Sequence, residues 1–265
     1  GQYFLTLSGI DITNYFENDG YYNGISAFGD LDVILAGDNT IGGSDTLNTG
    51  IYADGYLTVS GDGSLDINCN CSDKSVFGLA AYNDIVINNG TITAAVTTAG
   101  SSKYAYGVMT WEGEVVINSG LLNFTANAVY CAYGIDSEYD LVINGGNITV
   151  ASETSAARSY ANALRSYYGS ININDAILNV TADGGYGGYG IYAETDLVIA
   201  DSEISAEANA TRIAQMIVYG IYGKGSITVN GTPCYATGSC VEITPVTFKT
   251  WSPLRAIYIG GTTVI

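Results

Sequence analysis

Apolar residues recur along this chain in short alternating runs, and the runs themselves repeat. Each copy has a glycine or alanine anchor, an aliphatic residue, a variable residue and a residue that is usually small, followed by a second apolar run. The strongest copies begin at Gly50, Gly134, Gly190 and Gly220, and weaker copies begin at Gly24, Gly78, Gly107, Ala163 and Ala256. Because the anchors lie 26 to 36 residues apart, the pattern predicts a solenoid in which each copy forms one coil.

The residue after each anchor is aliphatic in all nine copies, so we expect it to face the inside of the molecule. These residues are Ile25, Ile51, Leu79, Val108, Ile135, Leu164, Ile191, Ile221 and Ile257. Alternating apolar positions predict a second short strand after this one and, beyond a turn, a third. No copy has the period of an amphipathic helix. The sequence therefore predicts an all-β fold, a right-handed parallel β-helix of about nine coils with three short strands each.

The repeat covers most of the chain, which predicts one domain over residues 1–265. Residues 24–265 are the repeats, and residues 1–23 are either a partial first coil or a cap. Asparagines follow the second strand in several copies, where a left-handed backbone suits a tight corner. We expect them to stack as a hydrogen-bonded ladder of Asn88, Asn118, Asn144, Asn174 and Asn230.

Composition narrows the functional classes. The 265 residues include 26 Asp and Glu against eight Lys and Arg, a formal net charge of -18, so a basic surface for nucleic acid cannot form. The absence of histidine removes Ser-His-Asp and Cys-His catalysis and imidazole metal sites. No apolar run reaches the roughly 18 residues of a membrane-spanning helix, and we expect no membrane insertion. A mean hydropathy of +0.20 is typical of a chain with a core rather than a disordered acidic tail.

The five cysteines do not form a recognisable metal motif. Cys69 and Cys71 are separated by one residue and have no second pair at zinc-site spacing. Cys234 and Cys240 could close a small loop, although the repeat places Cys234 on an inward position where a buried free thiol is the expected state. The sequence leaves the disulfide state of Cys69, Cys71, Cys131, Cys234 and Cys240 open.

Acidic residues gather at the corner between the first and second strands of successive copies. Like charges one coil apart repel each other, and a bound hard cation such as calcium relieves that repulsion. The candidate calcium ligands are Asp84, Glu112, Glu114, Glu138, Asp140 and Asp196. The alternative is a solvated edge that deters aggregation.

Aromatic residues at the same corner and on the outward position of the first strand predict a carbohydrate-binding surface. Sugar rings stack on exposed aromatic rings, and polar neighbours set their orientation. The candidates are Tyr52, Tyr56, Tyr82, Trp111, Tyr139, Tyr167, Tyr192, Tyr222, Asp136 and Arg165. We expect Asp136 and Arg165, in neighbouring copies, to form an ion pair. The alternative is that the stacked tyrosines only stabilise adjacent coils.

A second aromatic column precedes the anchors. It consists of Phe77, Tyr106, Tyr133, Tyr189 and Tyr219. Strict alternation places these residues inward, where we expect a structural ladder.

The repeat resembles a known family. Residues 30–41 (Asp-Leu-Asp-Val-Ile-Leu-Ala-Gly-Asp-Asn-Thr-Ile) and 50–59 (Gly-Ile-Tyr-Ala-Asp-Gly-Tyr-Leu-Thr-Val) are similar to bacterial surface β-helix domains described as carbohydrate-binding, which include calcium-containing binders of acidic, pectin-type polysaccharides. The resemblance covers essentially the whole chain. It implies a secreted or cell-surface location, a polysaccharide partner, calcium, and a place among other domains of a longer surface protein.

Three functions are consistent with these features. The first is a non-catalytic carbohydrate-binding domain assisted by calcium, the second a structural stalk or adhesin rod, and the third a polysaccharide lyase. A lyase of this architecture needs a Lys or Arg base beside carboxylate-held calcium, and Arg165 is the one basic residue predicted on a strand face with acidic neighbours. We therefore expect a binding domain and not an enzyme.

Overall fold

The structure is a computed structural model. It describes residues 1–18, 20–43, 46–210 and 218–230, and the backbone of strands at 234–240, 255–259 and 263–264. Within these ranges the regular elements are all β-strands, and there is no helix. The side chains of Cys234, Cys240 and Ile257 lie outside the described residues. Cys69, Cys71 and Cys131 are buried free thiols.

The strands follow one another in chain order. The first nine are β1 (Gln2–Ser8), β2 (Asp11–Ile12), β3 (Phe16–Asn18), β4 (Tyr21–Ala27), β5 (Asp30–Ala36), β6 (Asp38–Gly42), β7 (Thr49–Ala53), β8 (Leu57–Ser60) and β9 (Ser64–Asn70). The next nine are β10 (Val76–Ala81), β11 (Ile85–Ile87), β12 (Thr91–Thr98), β13 (Tyr104–Thr110), β14 (Val115–Ile117), β15 (Leu121–Ala128), β16 (Cys131–Ser137), β17 (Leu141–Ile143) and β18 (Gly146–Thr154). The remainder are β19 (Tyr160–Ser166), β20 (Ile171–Asn174), β21 (Ala176–Gly184), β22 (Gly187–Ala193), β23 (Leu197–Ala200), β24 (Glu203–Ala210), β25 (Val218–Gly223), β26 (Ile227–Asn230), β27 (Cys234–Cys240), β28 (Arg255–Ile259) and β29 (Thr263–Val264).

Every coil contributes one strand to each of three sheets. The first sheet runs from β4 through every third strand to β28, the second from β1 and β5 to β29, and the third from β2 and β6 to β27. Neighbouring coils pair in parallel, and the one antiparallel pair among the described strands joins β3 to β4. At the N-terminal end, β1 pairs with β5 and β2 with β6. The predicted right-handed parallel β-helix is confirmed.

The predicted core is confirmed in its register. The aliphatic residues after the nine anchors pair one above the next along the first sheet, from Ile25 opposite Ile51 to Ile221 opposite Ile257. From Ile51 to Ile221 they are at most 1% exposed, and they belong to one continuous apolar cluster with the inward residues of the other two sheets. Burial of this column holds successive coils in one register.

Alternation along the first strand breaks at the anchor glycine, and this corrects one prediction. In β10, Val76 and Leu79 both point into the core, while Phe77 and Ala80 lie in a separate cluster on the outer face. Gly78 has no register partner, which marks the break in the pleat. The prediction that the aromatic residues before the anchors point inward is therefore wrong, and they line the outside of the first sheet.

Most anchor positions hold a glycine because the third strand of the same coil crowds them, although Ala163 shows that a methyl group fits in one coil. A Cβ placed on Gly134 would lie 1.9 Å from Val150 Cγ1, and one on Gly50 would lie 2.5 Å from Ile67 Cγ2. A side chain would push the first and third sheets apart where the coil is narrowest.

The corner after the second strand differs from expectation in its backbone. The left-handed backbone conformation is adopted by glycines such as Gly90 and Gly120 and by Asp175 and Asp201. The asparagines do not adopt it, because the tight turn lies one or two residues after them in the chain.

The asparagine ladder itself forms over three coils. Asn118 Nδ2 donates to Asn88 Oδ1 at 2.8 Å, and Asn144 Nδ2 donates to Asn118 Oδ1 at 2.9 Å. Ala200 lies between Asn174 and Asn230 in the register, so those two asparagines cannot bond to each other.

The anchor crowding gives a stability prediction. We expect Gly134→Ala to lower the free energy of unfolding by about 1–3 kcal/mol, the usual cost of overpacking, because the new methyl group meets Val150 and the carbonyl oxygen of Ala163. Urea unfolding followed by circular dichroism measures it. The control is Ala163→Gly at the equivalent anchor of the next coil, which removes a methyl group there and costs less than about 1 kcal/mol. Equal effects of the two substitutions would contradict the crowding argument.

Candidate binding face

The outer surface of the first sheet carries a column of stacked rings, called here the rung column. Its members are Phe77, Tyr106, Tyr133, Asn162, Tyr189 and Tyr219, which occupy the position before the anchor in successive coils. Ring centroids are 5.2 Å apart for Phe77 and Tyr106, 5.0 Å for Tyr106 and Tyr133, and 5.8 Å for Tyr189 and Tyr219. Parallel rings at the coil spacing stabilise the stack.

Residues on the outward position of the first strand flank the rung column. Tyr192 and Tyr222 stack in parallel at 5.1 Å, and Tyr52 makes an edge contact with Trp111 at 5.9 Å. These side chains are half-buried rather than fully exposed, since the rung column packs beside them. Trp111, predicted as a corner residue, folds back onto the cluster and lies 5.4 Å from Phe77.

The predicted ion pair between neighbouring coils is confirmed. Arg165 Nε and Nη2 each donate to one carboxylate oxygen of Asp136 at 2.6 Å. The guanidinium also lies 4.1 Å over the ring of Tyr133 and 4.8 Å over that of Tyr167. Burial raises the pKa of Asp136, and Arg165 acts in the opposite direction. Burial lowers the pKa of Arg165, but Asp136 outweighs it and raises that pKa overall.

A slot opens where the rung column is interrupted. Asn162 stands between Tyr133 and Tyr189, and its side chain is too short to stack between their rings. The resulting cavity has a volume of about 260 Å³ and is lined by Tyr133, Tyr160, Asn162, Arg165, Tyr167, Tyr189 and Tyr192. Asn162 is only 6% exposed, and its Oδ1 has no hydrogen-bond partner among the described residues. A buried amide oxygen without a partner is costly, and because this oxygen is closed to solvent, a ligand or water in the slot reaches it when the Asn162 side chain turns outward.

The slot also has donors available. Arg165 directs Nε and Nη2 at Asp136, so its Nη1 has no acceptor among the residues that the structure describes. Burial raises the pKa values of Tyr133 and Tyr189, so both hydroxyls stay protonated; that of Tyr133 is hydrogen-bonded to Cys131, and that of Tyr189 can donate to a ligand. The slot therefore combines ring surfaces, a buried acceptor and several donors in one place.

The remaining predicted aromatic residues form a ridge along the corner between the first and second sheets. Their exposed fractions are 50% for Tyr56, 41% for Tyr82, 47% for Tyr139 and 41% for Tyr167. Tyr167 belongs to both the ridge and the slot. The ridge thus borders the aromatic face and offers further ring surface to a long ligand.

Carboxylates at this corner are engaged in the fold. Asp84 Oδ1 accepts the backbone N–H of Glu114 at 2.9 Å, Asp140 Oδ1 that of Ser170 at 2.7 Å, and Asp196 Oδ1 that of Ser226 at 2.7 Å. Each of these bonds ties one coil to the next. The three aspartates that the sequence suggested as calcium ligands therefore each use one oxygen to hold adjacent coils together.

At this corner a glycine lies in every second coil, directly beside the aspartate of the preceding coil. A Cβ on Gly169 would lie 2.3 Å from Asp140 Oδ1, and one on Gly225 would lie 2.5 Å from Asp196 Oδ1. Asp30 and Gly55 form the same pair at the N-terminal end, with Asp30 Oδ1 3.1 Å from the nitrogen of Tyr56. An aspartate in one coil thus requires a glycine in the next.

The glutamates of the corner lie close to these aspartates. Burial, Asp140 and Asp84 raise the pKa of Glu114, and burial and Asp136 raise that of Glu138. Glu112 accepts a hydrogen bond from the hydroxyl of Tyr82 at 2.7 Å. Among the described residues, no three Asp, Glu or Cys side chains converge to hold a metal ion. Calcium at this corner remains a prediction.

Comparison with known protein families agrees with the β-helix fold. Residues 48–244 match the family described as the BigA third pectate lyase-like domain. The chain belongs to this family. No curated protein and no solved structure matches it. Within the described part of this pectate lyase-like domain, no helix is long and apolar enough to cross a membrane.

Sequence reasoning missed four residues that line the slot in this pectate lyase-like domain. Tyr133 and Tyr189 were expected in the core, while Asn162 and Tyr160 were not considered. The available signal was the exception in the column, since Asn162 is the single non-aromatic residue between Phe77 and Tyr219 at that position. A polar residue in an otherwise aromatic column indicates a local gap in the stack.

The coil-linking aspartates give a second stability prediction. Asp140→Ala should lower the free energy of unfolding by about 1 kcal/mol, because the N–H of Ser170 loses its acceptor. Asp140→Asn keeps an oxygen acceptor and should cost less. Urea unfolding with added calcium and with chelator measures both effects. If wild-type stability rises with calcium and both variants lose that increment, Asp140 acts as a metal ligand and the structural role is not sufficient.

Asp196 gives a prediction for pH. The N–H and hydroxyl of Ser226 lower the pKa of its carboxyl, so the ionised form stabilises the fold above the unfolded pKa of about 3.9. This contribution is lost as the pH falls through the lower folded value. The difference in unfolding free energy between the wild type and Asp196→Asn should be constant from about pH 5 to 7 and shrink below about pH 4. Urea titrations across this range test it, and a difference independent of pH would refute it.

Proposed function

We propose that this domain binds extracellular carbohydrate without cleaving it, and that the slot at Asn162 is the centre of its binding face. The observation that carries the proposal is the interruption of an aromatic column by a buried amide whose Oδ1 has no partner among the described residues. Carbohydrate recognition needs ring surfaces together with a few fixed donors and acceptors. The slot and the adjoining tyrosine ridge supply both.

The aromatic face supports binding more than a purely structural role. A continuous ladder would stabilise neighbouring coils best, and an aromatic residue at position 162 would complete it. The interruption also brings Arg165 and Tyr160 to the surface of a cavity. We treat the rod or adhesin stalk as the alternative, in which the stacked columns serve stability alone.

Charge placement supports a non-catalytic domain. Arg165 is held by Asp136 through two hydrogen bonds, and its raised pKa keeps it protonated, so it is not available as the base of a lyase. Lys224 is paired with Glu194. Catalysis therefore receives no support from the two basic side chains nearest the aromatic face.

Location and calcium form part of the proposal. A surface or secreted setting gives a polysaccharide-binding domain access to its ligand, and the family name suggests a domain of a larger protein. With a net charge of -18, the domain would meet an acidic polysaccharide more readily with divalent cations between them. Calcium dependence is thus expected for acidic polymers and not for neutral ones.

Affinity electrophoresis tests the proposal. The wild type should be retarded in gels that contain one or more of galactan, xyloglucan and polygalacturonate, with calcium or with chelator. Asn162→Tyr should remove most of the retardation, because it fills the slot with the side chain found in neighbouring coils. Thermal unfolding should show that this variant is folded.

The matched control is Asn123→Tyr, which adds the same side chain at an exposed position of the third sheet and should leave retardation unchanged. Absence of retardation of the wild type in every gel would favour the rod. Incubation with polygalacturonate followed by absorbance of unsaturated uronates tests the lyase, and we expect no increase.

A further inference from the structure

The charges around the slot are nearly balanced, with a small excess of acid. Arg165 lines the slot and is paired with the buried Asp136 behind it, and Glu138 interacts electrostatically with both. On the opposite side, Glu194 accepts a hydrogen bond from the Tyr192 hydroxyl and pairs with Lys224. Three acids therefore face two bases, on a protein whose net charge is -18.

An anionic ligand is disfavoured by this arrangement. Arg165 already has a partner in the buried Asp136, whose side chain is almost inaccessible to solvent. A second carboxylate bound to Nη1 would stand close to Asp136 in a cavity where charges are poorly screened. The repulsion would offset what the extra hydrogen bond contributes.

A cationic ligand is disfavoured as well. Tyrosine-walled cages bind ammonium groups through their ring faces, but here the guanidinium of Arg165 already occupies the ring faces of Tyr133 and Tyr167. A further cation in the same cavity would be repelled by it. The remaining class is an uncharged ligand with hydroxyl groups.

Resting on the proposed carbohydrate function, the geometry points to an uncharged pyranose, one ring at a time, as the occupant of the slot. The hydroxyls of a pyranose can accept from Arg165 Nη1 while its apolar face packs on the tyrosines, and one of them can donate to Asn162 Oδ1 when that side chain turns toward the slot. The volume of about 260 Å³ lies below the roughly 300–1,000 Å³ of pockets for drug-sized ligands. It suits a single sugar at a chain end or branch, with the ridge contacting its neighbours.

Three pairs of probes test this inference, each pair an acid and its uncharged methyl ester. Methyl galacturonoside, methyl glucuronoside and methyl mannuronoside are each compared with their uncharged methyl esters by isothermal titration calorimetry at neutral pH and low salt. At least one ester should bind about tenfold or more tightly than its acid. Added salt should change the gap only slightly, because the repulsion between the bound acid and the buried Asp136 is screened far less than that between exposed charges.

Two variants locate the effect. Asn162→Tyr should abolish ester binding, and Asn123→Tyr should leave it unchanged. Asp136→Asn keeps an acceptor for Arg165 but removes the buried negative charge, so the acid should gain at least about tenfold relative to its ester. Circular dichroism checks the fold of each variant, and the wild-type comparison stands if Asp136→Asn does not fold.

The outcomes separate the two proposals. Tighter binding of the acids, equal binding of both forms, or ester binding that survives Asn162→Tyr overturns the uncharged-pyranose inference while carbohydrate binding by the domain stands. Failure of every ester to bind also overturns it. If polymer retardation is absent as well, the proposed function falls with it.

Discussion

The stacking of coils in one register is the constraint on which the rest of this structure depends. Neighbouring strands hydrogen-bond in parallel about 4.8 Å apart, so a residue type that recurs at one position of the repeat forms a column through the molecule. The inward column from Ile51 to Ile221 is dry and continuous, and a slip by one residue would turn it toward solvent. Because the register is fixed, the outward columns are fixed too, and each becomes a line of evenly spaced groups whose mutual attraction or repulsion is repeated in every coil.

The outward columns differ in how equivalent side chains of neighbouring coils interact. Uncharged side chains stack favourably, as the rings of Tyr106 and Tyr133 and the amides of Asn88 and Asn118 do. Charged side chains of one sign would repel along a column. At the acidic corner the register places Asp84, Glu114 and Asp140 in consecutive coils, and burial together with their mutual repulsion raises the pKa of Glu114. A glycine at the preceding position of the next coil leaves room for Asp140 Oδ1 to accept the backbone N–H of residue 170. On the first sheet, Asp136 is followed by Arg165. The corner aspartates therefore have a structural role in linking coils, and calcium at the same corner stays a prediction.

The sequence was sufficient for the coils because their signal is redundant. Nine aliphatic residues in equivalent positions define the register, and three alternating runs define the sheets. It was insufficient for the outer face because the prediction assumed that side chains alternate between inside and outside without a break at the anchor glycine. Gly78 lies against the third strand and breaks the pleat, which turns Phe77 outward although strict parity places it inside. The ion pair of Asp136 and Arg165 followed from register alone. The slot did not, since it depends on the length of one side chain, Asn162, relative to the rings above and below it.

A repeat fold makes such an exception informative. In a globular domain a buried asparagine has many structural explanations, but in a column of rings it can be compared with its own equivalents, and those show that an aromatic side chain fits the backbone there. The guanidinium of Arg165 covers the Tyr133 ring in place of the missing one, but the ring of Tyr189 has no stacking partner at position 162 and Oδ1 of Asn162 is without a partner among the described residues, so stability alone does not favour the asparagine. The neighbours are consistent with a site rather than a defect. Arg165 fills the space beside Tyr133 only in part, and the acid that fixes it also neutralises it. A cavity built in this way presents hydrogen-bond donors and acceptors with almost no net charge, on a protein that is otherwise strongly acidic.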